Sequence, residues 1–325
     1  MRQVILRQPG EFVEQAGEAP AAKDGEALVR VHRVGVCGTD LHAFAGRQPF
    51  FTYPRILGHE LGVEVLEAPD NSFGIAEGDR CAVEPYMNCG ECHACQLGKP
   101  NCCERLNVLG VHSDGGMRPL LNVPLRLLHK SEKLSLDQLA LVETLGIGAH
   151  AVSRAGVSEG EEVLVVGAGP IGLAAIQFAQ AGGGRVRVLE LSEARRKFVG
   201  RLGVEVLAAP DSRLADVVFD ATGSPKAMEA SFDFVAHGGR LVFVGLVQGR
   251  ISFEDPHFHR REITLLASRN SCHDFPRIIR MIEEGSIDTT PWINFRMGLG
   301  DVVREFPRLR EQPDLVKAMI EVADE

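Results

Sequence analysis

Residues 163–172 read VLVVGAGPIG. A short β-branched run leads without interruption into Gly167, Gly169 and Gly172, so a buried strand is expected to pass directly into a glycine-rich turn. A helical pattern follows, with Leu173, Ile176, Gln177 and Phe178, and then a second strand, RVRVLEL at 185–191, which brings Glu190 near its end. A GxGxxG string alone is a weak signal. Between a strand and a helix, with an acid closing the next strand, it predicts a dinucleotide site formed by Gly167, Gly169, Pro170, Ile171, Gly172 and Glu190. The glycines let the main chain approach a pyrophosphate, the helix N-terminus stabilises its charge, and the carboxylate accepts from ribose hydroxyls. A carboxylate at Glu190 repels a 2′-phosphate, so NAD is expected over NADP. Arg195, on the helix that follows, is the opposing feature: it is a phosphate contact, an adenosine contact or an exposed helix residue.

Outward from this stretch, DVVFDAT (216–222), RLVFVGL (240–246) and EITLLAS (262–268) repeat the pattern of short apolar strands separated by helical segments. Residues 148–273 are therefore expected to form a doubly wound parallel sheet, an α/β fold. The texture of residues 1–147 differs: Val-rich runs at Ala27–Val36, Gly62–Leu66 and Arg80–Val83 are broken by Gly, Pro and Asp, which predicts a β-rich, partly barrel-like domain. Residues 274–325 return to amphipathic helix and loop and are expected to rejoin that first domain. A chain of 325 residues with 45% apolar content has room for two cores. Its net charge of −9 offers no basic footprint for nucleic acid. Neither a charged-then-apolar leader nor a long uncharged apolar run is evident, so no membrane association is expected and the chain reads as cytoplasmic, a soluble enzyme or binding protein.

The stretch NCGECHACQLGKPNCCERL, residues 88–106, holds Cys89, Cys92, Cys95 and Cys103 as C-x2-C-x2-C-x7-C. In a reducing compartment, clustered thiols on a loop bent by Gly90, Gly98 and Pro100 are expected to close a tetrahedron around Zn²⁺. Cys102 falls outside that spacing. Thiolates alone do not separate zinc from iron–sulfur ligation, and the rest of the chain favours zinc. A second set of metal-type residues lies apart from the lobe: Cys37 in GVCGTDLH, His59 and Glu60 in ILGHELG, and Glu143 in ETLGIGAH. Singly, each has an ordinary structural reading as a buried thiol, a core imidazole or a surface acid.

Taken in order, GVCGTDLH, LGHE, GDRCAVEP, the four-cysteine lobe, DGG, ETLGIGAH, VGAGPIG, DATGS, LVFVGL and SRN resemble the zinc-containing medium-chain dehydrogenase/reductase family, and its polyol and threonine dehydrogenase branch in particular. The resemblance covers nearly the whole chain. It implies a GroES-like catalytic domain joined to a Rossmann domain, two zinc ions per chain, NAD, and a homo-oligomer, either dimer or tetramer. By the same resemblance Cys37 and His59 are ligands of a catalytic zinc, with Glu60 and Glu143 as unranked carboxylates beside it, and Cys89, Cys92, Cys95 and Cys103 hold a structural zinc. Thr39 and His42 match a hydroxyl and an imidazole that pass the substrate proton outward, and His150 a histidine that affects the substrate. Val244, Gly245 and Leu246 match main-chain contacts near the nicotinamide, and Ser268, Arg269 and Asn270 the cofactor and substrate edge. The chain departs from the family pattern at Val63, where glycine is expected and Gly62 is the available substitute, and at ETLG in place of Glu-Pro.

For the substrate, HRREITLLASRN and LGVHSDGGMRP resemble members acting on sugar acids and polyols, including hexonates. Arg118 and Arg269 are candidates for a substrate carboxylate, while Arg269 is equally a candidate for the cofactor phosphate and Arg118 for solvent. The implied reaction is hydride transfer from a secondary alcohol to the nicotinamide, with the proton leaving through Thr39 and His42. The alternatives are a threonine or other alcohol dehydrogenase of the same family, and a dinucleotide-binding protein without turnover.

Overall fold

Side chains that alternate between core and surface set the first elements of the chain, as a pleated strand requires. A computed structural model describes residues 1–325 apart from Ala22, Phe50, Pro313 and residues 323–325. Strands β1 (Arg2–Gln8) and β2 (Glu11–Ala16) pair as a hairpin. β3 (Glu26–Gly35) follows, with Ala27, Val29 and Val31 turned into the core, and the short helix α1 (Gly38–Phe44) begins just after it. β4 (Glu60–Glu67) and β5 (Arg80–Val83) add to β3 in antiparallel register.

β6 (Tyr86–Met87) and β7 (Asn107–Val108) then form a two-stranded ribbon, and the cysteine lobe with its small helix α2 (His93–Gln96) is the loop between them. β8 (Leu120–Pro124) pairs with β3, and β9 (Leu128–Lys130) with β5. Gly62 sits where a Cβ would lie 2.2 Å from the carbonyl oxygen of Leu136, the first residue of α3 (Leu136–Ala155). It therefore provides the close approach of sheet to helix, and the adjoining Val63 is a fully buried core residue.

The next elements are β10 (Glu162–Val166), α4 (Pro170–Ala181), β11 (Arg185–Leu189), α5 (Glu193–Val199), β12 (Glu205–Leu207), β13 (Ala215–Asp220), α6 (Pro225–Ala230), β14 (Val235–Phe243), α7 (Asp255–Arg260) and β15 (Thr264–Ala267). All pairings among these strands are parallel, in the order β12-β11-β10-β13-β14-β15. Strand order reverses beside β10, so the turn at Gly167 lies at the carboxyl end of the strand where ligands of such sheets bind. β12 was not among the strands expected from sequence, being short and at the sheet edge.

Helix α8 (Phe275–Glu283) has the amphipathic pattern expected of it, burying Phe275, Ile278, Ile279 and Ile282. Beyond it the expectation of helix and loop is corrected. Strands β16 (Ile293–Gly298) and β17 (Lys317–Glu321) flank the short α9 (Val302–Glu305), and β17 pairs with β3 to complete a seven-stranded sheet. The chain thus divides into two compact units, Met1–Glu143 with Phe275–Glu325, and Thr144–Asp274. No helix among the described residues is long and apolar enough to cross a membrane.

Candidate active site and metal centres

In the first unit, Cys37 caps α1, where its backbone N–H donates to Asp40 Oδ2 at 2.9 Å. His59 and Glu60 stand at the start of β4, opposite the end of β3. These three residues offer ligand atoms all within 4.8 Å of one another. Gly35 faces Glu60, and a Cβ there would lie 2.1 Å from Glu60 Oε2, so only glycine leaves room for the carboxylate. Glu60 is fully buried, and both its oxygens lie 2.7 Å from Lys317 Nζ, itself buried on β17.

Glu143, on α3, lies outside that ligand group yet shares its field: it interacts electrostatically with His59, Glu60 and Lys317. Its Oε1 accepts a hydrogen bond from the buried phenol of Tyr86. Burial raises the Glu143 carboxyl above its ordinary value, and burial together with Glu143 holds the Tyr86 phenol well above its own, so the phenol remains the donor. Asp40 Oδ1 approaches His59 Nδ1 at 3.7 Å, and neither atom has a hydrogen-bond partner among the described residues. Burial disfavours a charged His59, but Asp40, Cys37 and Glu143 outweigh it and raise the imidazole well above its ordinary value. A buried cluster that draws a proton so strongly onto its imidazole is one that fits a cation. The donor set of thiolate, imidazole and carboxylate suits zinc, with Asp40 beside the ring as a buried counter-charge.

Thr39 and His42 lie three residues apart on α1 and so share a face of that helix. Partial burial, then Arg47 and Arg310, push the His42 imidazole below its ordinary value. Arg118 is half-buried. Its Nε donates to Gly115 O at 3.1 Å and an Nη to Asp114 O at 3.5 Å, and burial lowers its pKa.

The lobe assembles its four sulfurs within 4.8 Å from Cys89, Cys92, Cys95 and Cys103, while Cys102 is exposed and stands apart. Cys89 Sγ lies 3.5 Å from Cys103 Sγ and 4.0 Å from Cys95 Sγ. Sulfurs bound tetrahedrally at about 2.3 Å from one zinc would stand about 3.8 Å apart, so the set fits that ion. Main-chain amides of Glu91 and Cys92 bring the Cys89 thiol down to about 6, which favours the thiolate.

In the second unit, a Cβ on Gly172 would meet Gly167 O at 2.0 Å, and Gly167 itself has φ +93°. Gly169, the N-cap of α4, faces open space within 4 Å of where its Cβ would be, which leaves the helix N-terminus accessible to a pyrophosphate. Pro170 and Ile171 open the helix. Glu190 is buried, each carboxylate oxygen accepting one main-chain N–H at 2.7 Å, from Ala168 and Ser192. Carboxylate oxygens carry about four acceptor sites, so capacity for ribose hydroxyls remains. Arg195 is half-buried on α5, and its neighbour Arg196 donates to the carbonyls of Glu190 and Leu191.

The amides of Val244 and Gly245 both donate to Asp220 O, so both N–H groups are already used within the fold; Leu246 is 73% exposed. Ser268 Oγ is buried without a partner, Arg269 is exposed, and Asn270 holds φ +54°. His150 Nδ1 lies 3.9 Å from Asp274 Oδ2. Asp40, Tyr86 and Lys317 were missed in the sequence reading. Asp40 had a local signal, three residues after Cys37, whereas Tyr86 and Lys317 reach the cluster only through tertiary contacts.

A thiolate–imidazole–carboxylate centre, a four-thiolate lobe and a glycine-turn nucleotide site define a zinc- and nicotinamide-type dehydrogenase. Residues 23–133 match the alcohol dehydrogenase GroES-like domain family and residues 170–284 the zinc-binding dehydrogenase family. L-galactonate-5-dehydrogenase of Escherichia coli K12 is 41% identical over 98% of this chain and 98% of its own length. Among solved structures, the RspB alcohol dehydrogenase of E. coli CFT073, complexed with NADH, matches with TM-score 0.93 at 25% identity over 99% of each chain. A zinc-binding dehydrogenase of Sinorhizobium meliloti 1021 bound to NADP matches with TM-score 0.90 at 27% identity, again over 99% of each. The chain belongs to the zinc-containing medium-chain dehydrogenase/reductase family, in its polyol and sugar-acid branch.

Proposed function

We propose that the protein oxidises a secondary alcohol of a sugar acid, a hexonate, with NAD⁺ as acceptor. The observation that carries this reading is the end-to-end identity with an L-galactonate dehydrogenase, 41% over 98% of both chains. Arg118 supports the acid over a neutral polyol. Among the described residues its guanidinium bonds only main-chain carbonyls, with the Asp114 carboxylate acting on it through charge alone, so a substrate carboxylate would supply the direct partner.

When bound, zinc supplies the Lewis acidity that polarises a hydroxyl, and the nicotinamide accepts the hydride. The chain does the rest. Cys37, His59 and Glu60 or Glu143 would hold the metal, Asp40 favours the charged imidazole, and Lys317 compensates the buried charge of Glu60. Thr39 and the neutral His42 take the proton outward along α1. The Gly167–Gly172 turn seats the pyrophosphate, and Glu190 accepts from the ribose while repelling a 2′-phosphate. Cys89, Cys92, Cys95 and Cys103 take a second, structural zinc.

The test is steady-state oxidation of matched hexonate and polyol pairs, and of threonine, with NAD⁺ and NADP⁺. The acid is expected to be favoured, with NAD⁺ the better acceptor, and Arg118→Ala is expected to erase the preference for the acid. An enzyme that prefers the neutral polyol, or threonine, would overturn the sugar-acid reading, and equal efficiency with both nucleotides would overturn the NAD assignment.

A further inference from the structure

We propose that Tyr86 is a positioning residue for Glu143, and that through it the four-cysteine lobe sets the position of a carboxylate in the buried cluster. The inference rests on the reading of that cluster as the metal centre of a dehydrogenase.

Tyr86 is 6% exposed, and its phenol donates to Glu143 Oε1. It belongs to β6, whose two residues pair with Asn107 and Val108 of β7, and the whole lobe is the loop between these strands. Cys89 follows three residues after Tyr86, and its backbone N–H points to Cys103 Sγ at 3.3 Å. The same ribbon is held at its base by Leu109 N donating to Pro85 O at 3.0 Å.

The base of the ribbon is anchored by buried Tyr86, Val108 and Leu109, but the lobe beyond it has little apolar packing of its own. Of residues 88–106 only Asn101 and Cys103 are buried, so apolar packing contributes little and closure of the four thiolates is what ties the two strands together. A two-residue ladder is marginal on its own. Opening the lobe should therefore loosen the far end of the ribbon and shift the donor on Glu143. A carboxylate that loses a buried donor turns toward another partner.

The chain contains two tyrosines, Tyr53 and Tyr86, which makes the idea directly observable. Full-length protein labelled with 3-fluorotyrosine gives two ¹⁹F resonances, assigned by Tyr86→Phe. Glu143→Gln should move the Tyr86 resonance and leave Tyr53 in place. Opening the lobe by Cys92→Ser, or by a zinc chelator applied to the wild type should the variant fold poorly, should move the same resonance. Cys102→Ser, which alters the exposed thiol outside the sulfur set, should move neither.

In turnover, Tyr86→Phe is expected to lower kcat about tenfold, the loss of one hydrogen bond to a charged group, with lobe zinc unchanged. In the double variant Cys92→Ser should then add little further loss. A Tyr86 resonance that ignores the state of the lobe, or independent losses that multiply in the double variant, would overturn the coupling. The fluorine readout needs no substrate. A failed coupling with intact hexonate oxidation leaves the function standing, and a moved resonance without hexonate oxidation does the reverse.

Discussion

Two cysteine-bearing clusters in one unit are built on opposite plans. The lobe takes all four sulfurs from residues 89–103 and lies mostly in solvent. The other draws Cys37 from the cap of α1, Glu60 from the first position of β4 and His59 from just before it, and surrounds them with buried Asp40, Glu143 and Lys317. A closed set of like ligands satisfies an ion completely and leaves no coordination for a substrate. A mixed set in a buried, charged pocket leaves the field unbalanced until a cation and a reacting group complete it. On the proposed reading, the first serves stability and the second chemistry.

The largest expected effect tests that assignment. Cys37→Ser should lower kcat by at least about a hundredfold, more than an outer partner's loss would, while Tm holds. Cys92→Ser should do the converse. A destabilisation of about 3 kcal/mol would lower Tm by roughly 6–12 °C, with kcat falling only as far as it does in Tyr86→Phe. Metal analysis, thermal unfolding and initial rates on both variants check it. One pattern shared by the two variants would break the contrast.

The two clusters were also unequally legible. The lobe could be read almost whole because its spacing is local, and the structure selects Cys103 over Cys102 as the fourth sulfur. The glycine turn was likewise local, so β10, α4 and β11 fall where VLVVGAGPIG and RVRVLEL placed them. Cys37, His59 and Glu60 were found by resemblance, since nothing in a chain read linearly brings residues 37 and 59 together. Lys317 was hidden for a physical reason: it is a lysine inside a buried strand, KAMIE, where charge argues against burial until its partner Glu60 is known. β16 had a readable signal, with Ile293, Phe295 and Met297 in alternation, that the helical texture before it obscured.

Lys317 sharpens the comparison at intermediate size. Removing one partner of a buried ion pair leaves an uncompensated charge and costs about 3–5 kcal/mol. Lys317→Met should therefore destabilise the protein by about that much, measured by urea unfolding at neutral pH. The lobe's outer support is exposed: Arg126 reaches Asn88 Oδ1 at 3.0 Å, and Arg126→Ala should change stability by about 0.5 kcal/mol or less. Equal costs would mean that the buried pair is already relaxed by solvent.

The smallest expected effect concerns protons, which the mixed cluster must release and the lobe need not. Partial burial, Arg47 and Arg310 depress the His42 imidazole, so it stays neutral, and able to accept, to a pH below the ordinary imidazole range. For the fold the sign is fixed. The unfolded chain binds this proton more readily, so stability falls as pH drops from the ordinary value through the depressed one, and it is unaffected above both. For turnover, the acid limb of kcat in alcohol oxidation should follow His42. Arg310→Gln removes a repelling charge, raises the imidazole pKa and should move that limb to higher pH, with little change in the plateau rate. Arg105→Gln removes an equal charge from the lobe, where Arg105 pairs with Glu91, and should leave the limb in place. A limb that ignores Arg310, or that moves equally with Arg105, would take His42 out of the proton path and leave Thr39 to deliver the proton to solvent by another route.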